Sequence, residues 1–109
     1  MTADHLSTEA KMTALALTFP SMAKASGVRF WDAIVLNHWV AETPLSPGEV
    51  ATARFLLAVW DPVHGWRPGR FDLMEAVRVW DPAHRSAFLA WVGDPWWPCP
   101  FAALDGCVG

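Results

Sequence analysis

Three short spacings in this chain place side chains that could do chemistry together: Asp61 with His64, Asp81 with His84, and His38 with Glu42. A carboxylate and an imidazole three or four residues apart share one face of a helix, where they can bind a divalent ion or pass a proton. The first two pairs belong to a repeated string, Val59-Trp60-Asp61-Pro62-Val63-His64 and Val79-Trp80-Asp81-Pro82-Ala83-His84. A metal-dependent or acid–base centre built from His38, Glu42, His64 and His84 is therefore one reading of the sequence.

The same residues have a reading without chemistry. Asp before Pro starts a helix: the carboxylate accepts backbone N–H groups as an N-cap, and Pro presets the first helical φ. An aspartate so used has little left for a metal. His84 shares a stripe with Phe88 and Trp91, the usual setting of a hydrogen-bonded core histidine. His38 falls on the apolar stripe of its own helix and is expected to be buried or half-buried against Glu42. Both copies of the string are thus taken as helix junctions, with Trp60 and Trp80 anchoring the preceding helix to the core. The chain lacks a glycine-rich phosphate loop, an HExxH motif and a nucleophile elbow, and its Ser and Cys residues suggest no nucleophile. The balance is against an enzyme, and no cofactor is implied.

The elements that would position these residues read as helix after helix. Ser7 caps a first helix with Met12, Leu15, Phe19 and Met22 at helical spacing; Pro20 forces a kink or restart, and Gly27 ends the element. A second helix is expected from Val28 to Glu42, with Trp31, Ile34, Val35, His38 and Trp39 as its apolar stripe. Ser46-Pro47-Gly48-Glu49 is a capping box opening a third helix to Trp60, apolar on most sides and so expected to be the buried hub. Pro62 to Gly69 reads as a loop. Asp72 opens a short helix through Trp80, and Asp81-Pro82 a last one ended by Gly93. No stretch alternates as a strand would. The expected fold is all-α: a single domain over 1–109, about five helices, an extended Pro/Trp-rich tail, and frayed ends at 1–6 and 102–109.

Composition bounds the function. The chain has 109 residues, 53% hydrophobic and 17% charged, with 8 Trp, 6 Phe and no Tyr. A net charge of −3 argues against nucleic acid, which needs a basic footprint. Arg67, Arg70, Arg78 and Arg85 are interleaved with Asp61, Asp72, Glu75 and Asp81, so no basic run forms. No secretory leader or apolar run long enough to span a membrane is seen. Cys99 and Cys107 are expected to be free thiols in a cytoplasmic protein, although a disulfide between them would be sterically feasible.

With Trp60 and Trp80 assigned to junctions, Trp66, Trp96 and Trp97 are left over. Pro95-Trp96-Trp97-Pro98 spells the letters that name the PWWP chromatin readers. Those domains are basic β-barrels, so the likeness to this acidic helical chain is discarded. Two adjacent Trp in a proline-stiffened segment cannot both face one core, and Trp is the residue most enriched at interface hot spots. Trp66, Trp96 and Trp97, with Pro95 and Pro98, are the candidate partner-binding residues. The function expected is binding to another protein or to a second copy, as an adaptor or inhibitor of the size encoded by phages and mobile elements. A Trp/Met-lined pocket for a small molecule is the remaining alternative.

Overall fold

The computed structural model describes residues 7–98. The chain runs α1 (Thr8–Leu17), a 3-10 turn (Pro20–Met22), α2 (Ala33–Glu42), α3 (Pro47–Trp60), α4 (Leu73–Val79) and α5 (Pro82–Gly93). There is no strand among the described residues, and the fold is all-α as the sequence indicates. No helix among them is long and apolar enough to cross a membrane.

Local signals set most boundaries. Ser7 Oγ accepts the Ala10 N–H at 3.0 Å and starts α1. Phe19, which precedes Pro20, is extended at φ −99 and ψ 115, and the chain restarts as the 3-10 turn. At α3 the capping box is complete: Glu49 N–H donates to Ser46 Oγ at 3.3 Å and Ser46 N–H to Glu49 Oε1 at 2.8 Å. Behind it α3 buries Ala51, Thr52, Ala53, Phe55, Leu56, Leu57 and Val59. It is the hub. Full burial of Leu56 and Leu57 contributes on the order of 1.5–3 kcal/mol for each side chain.

The second helix departs from expectation in two ways. It starts at Ala33 rather than Val28, because Asp32 accepts the Ile34 and Val35 N–H groups and caps it there. Its buried face is also different. Gly27, at φ +87, lies so close to α2 that a Cβ on it would stand 2.5 Å from the Leu36 backbone nitrogen. That approach turns Ala33, Leu36 and Val40 inward, with Trp39 half-buried, and turns Ile34, Val35 and His38 to solvent. The expected stripe of Ile34, Val35 and His38 is therefore the outer face.

At the other end, Trp80 closes α4 against the hub. Its Nε1–H donates to Thr52 Oγ1 at 2.9 Å, and the Thr52 hydroxyl donates to Gly48 O at 2.9 Å. Thr52 is fully buried. Thr52→Val keeps the volume but orphans the indole N–H in the core, an effect of about 1–3 kcal/mol. Urea melts should show a loss in that range with an unchanged m value; a change near zero would mean that Trp80 finds another acceptor.

Candidate functional site

The two copies of the repeated string resolve into different structures. In the second, Asp81 Oδ1 accepts the His84 backbone N–H at 2.9 Å as the cap of α5. The same oxygen lies 2.7 Å from His84 Nδ1. On the far side of the ring, His84 Nε2 is 2.9 Å from Ser21 Oγ and accepts the Ser21 backbone N–H at 3.3 Å. A backbone N–H can only donate, so Nε2 is unprotonated. The ring proton is on Nδ1 and points at Asp81. Asp81, His84 and Ser21 thus form one directed relay, from α5 to the 3-10 turn.

Local structure explains each placement. Pro20 starts the 3-10 turn, so the Ser21 N–H is one of the orphan donors of a helix start, and the imidazole satisfies it. The ring is buried beside Phe19, with centroids 6.0 Å apart. The relay edges an open cleft of about 400 Å3 lined by Ser21, the Ser46–Glu49 end of α3, Val79, Trp80, Asp81 and His84. The hydrogen bond from the His84 side chain, and next the one from its backbone N–H, hold the Asp81 carboxyl below its ordinary 3.8.

The first copy does not repeat this. Asp61 Oδ1 accepts the Val63 and His64 N–H groups and caps a single turn. The His64 ring stacks on Trp66 at 4.0 Å, and Trp66 Nε1–H donates to Asp61 O at 2.9 Å. His38 is exposed on α2, not buried against Glu42. His38, Glu42, His64 and His84 are not brought together, and no three His, Cys, Asp or Glu among the described residues could hold a metal ion.

The partner-binding candidates are also divided. Trp66 is half-buried and tied into its loop; Trp96 is half-buried with Lys11 Nζ 4.7 Å above its ring. Pro95 is exposed and Pro98 buried. Trp97 is 55% exposed and stands edge-on to Trp91 with centroids 5.4 Å apart. Cys99 and Cys107 lie outside the described residues.

Two residues here leave no trace in the local sequence pattern. Ser21 meets His84 across 63 positions of sequence, and no local pattern announces that contact. The helical pattern that runs from Val28 places Phe30 in the second helix. Phe30 sits instead at φ +63 and is 93% exposed. Comparison with protein-family models, curated proteins and solved structures found no match for the chain.

The lowered Asp81 value carries a sign. A carboxylate depressed in the folded state adds stability above its ordinary value and loses it as pH falls through the folded value. Asp81→Asn keeps a capping oxygen and removes that titration. Thermal melts carried from neutral pH to the acid side of 3.8 should show the wild type losing more stability than Asp81→Asn. Parallel curves would disprove the linkage.

Proposed function

We propose that the protein works by binding protein, and that its partner is a second copy of this chain docked on the outer face of α2. The observation that carries the reading is Phe30. Exposed apolar side chains such as Met74 and Leu89 are ordinary on a folded surface. A phenylalanine held in the left-handed region is not, since that conformation costs about 1–2 kcal/mol outside glycine.

The loop around Phe30 shows what imposes this strain. Val28 and Trp31 are buried on either side of it. Thr13 Oγ1 donates to Val28 O at 2.6 Å and accepts the Trp31 N–H at 3.1 Å, while Asp32 N–H closes onto Gly27 O at 2.8 Å. With both neighbours fixed, the Phe30 ring is pushed outward. Ile34 and Val35, also exposed, continue the patch along α2.

Charge selects the occupant. Lys24 and Arg29 outnumber the exposed cap Asp32 at the Phe30 end of α2, Arg29 Nη2 donating to Ala23 O at 3.1 Å, and exposed Glu42 lies at the other end. Two such helices brought together antiparallel about a two-fold axis set each basic end against the partner's Glu42. Phe30 and Ile34 then face the small Ala41 end. Both copies offer one self-complementary patch, as a two-fold interface requires.

Light scattering across a concentration series should show a dimer for the wild type and a monomer for Phe30→Asp. Lys24→Glu and Glu42→Lys should each weaken the dimer, and the double exchange should restore it. A wild type that stays monomeric refutes the reading; a dimer lost in Trp97→Ala but kept in Phe30→Asp moves the interface to the C-terminal segment.

Phe30→Gly separates folding from binding. It should stabilise the isolated fold by up to about 1 kcal/mol by relieving the left-handed strain, yet abolish the dimer. Loss of stability in that variant would show that the ring supports the fold.

A further inference from the structure

We propose that Ser21, His84 and Asp81 form an acyl-transfer site for small activated esters, with Ser21 as nucleophile. The three groups meet the geometric test for an activated hydroxyl: nucleophile to base at 2.9 Å and base to orienting carboxylate at 2.7 Å. The tautomer is also the one required. Because Ser21 N–H donates to Nε2, the lone pair on that nitrogen faces the serine and the Nδ1 proton faces Asp81.

In the first step Ser21 Oγ bonds to the ester carbonyl carbon as its proton passes to His84 Nε2. The C–O bond to the leaving group then breaks, and the alcohol departs with that proton. Water next attacks the acyl-serine, again giving its proton to Nε2, and the serine oxygen recovers a proton as the carboxylic acid leaves. Ester and water become acid and alcohol.

The surroundings set the substrate class. Val79 and Trp80 give the cleft an apolar wall, and its volume of about 400 Å3 admits a short acyl chain. The Ser21 N–H is held by the imidazole in the resting state and is released only as Nε2 takes the serine proton, because a protonated ring nitrogen cannot accept a bond. The start of α3 also lines the cleft, its Gly48 packed against Val79 and Trp80; there Pro47 has no N–H and the Ser46 and Glu49 N–H groups are occupied by the capping box. Among the described residues Gly48 N–H is the donor left there, at the positive end of the helix dipole. Asp81 is a positioning residue, touching His84 and not the substrate. Its side chain is 61% exposed, so water weakens its hold on a developing imidazolium. The site suits esters with good leaving groups, not amides.

The test uses the full chain with a fluorophosphonate probe and with 4-nitrophenyl acetate. Labelling is read by peptide mass mapping. Wild type should be labelled at Ser21 and should release nitrophenolate about 100-fold faster than Ser21→Ala, the lower range of general-base assistance. Ser21→Ala keeps the backbone N–H bond to His84, so it tests chemistry without dismantling the junction; its melting temperature confirms that it is folded. Asp81→Asn should alter the pH profile of labelling, which a purely structural role would leave alone. Wild type left unlabelled, labelling elsewhere, or equal release by folded Ser21→Ala overturns the proposal.

Discussion

Phe55 is placed so that five other rings must accommodate it. Its centroid lies 5.6 Å from Phe19, 5.5 Å from Phe71, 6.4 Å from Trp80, 5.3 Å from Phe88 and 5.2 Å from Trp91. All five contacts are tilted or edge-on, the arrangements in which a positive ring edge meets a negative face. The rings come from the end of α1, the approach to α4, the α4–α5 junction and α5. Close packing of this kind leaves little freedom to slide, because displacing one ring opens a void beside the others. Phe55 can occupy that position only because α3 is buried on nearly every side. The directional bond from Trp80 to Thr52 then fixes the orientation of one large ring, and with it the point where α5 begins.

The relay depends on that arrangement. Trp80 is the residue before Asp81, so seating its indole against α3 fixes where the α5 cap lies. Phe19 is two residues before Ser21 and touches both Phe55 and Trp80. The aromatic cluster thus positions both ends of the Asp81–His84–Ser21 chain of hydrogen bonds. Trp60, in the other copy of the string, packs instead on Trp31 at 5.9 Å. The chain behind it meets Gly65 rather than a helix, and His64 ends on Trp66. One string has two outcomes because its neighbours differ.

Much of this was legible in the sequence, and the reason is local physics. Ser46-Pro47-Gly48-Glu49, Asp72 and Asp81-Pro82 each fix a helix start through bonds to their own next few residues, so no knowledge of the fold is needed to read them. The α2 error shows the boundary of such reading. Val28 to Glu42 has a helical pattern, but Gly27 lies against the backbone of Leu36, and this contact between elements decides which face turns inward. His38 followed the face. Ser21 and Phe30 were invisible for the same reason: their roles come from His84 and Thr13, distant in sequence.

Phe30 raises a question of energy that the isolated chain does not answer. Burying a phenylalanine gains on the order of 1.5–3 kcal/mol, and relaxing a left-handed residue about 1–2 kcal/mol; Phe30 has neither gain. The burial of Val28 and Trp31, with the Thr13 bonds on both sides, is enough to hold the loop, but it would hold a glycine there at lower cost. Nothing within the described residues gains from the ring, since it is 93% exposed. Among the described residues this side chain costs the fold and serves no contact, and that imbalance is the ground for proposing a partner on this face. The proposed interface follows the outer face of α2, which continues from Phe30 through exposed Ile34 and Val35 to the charged end at Glu42.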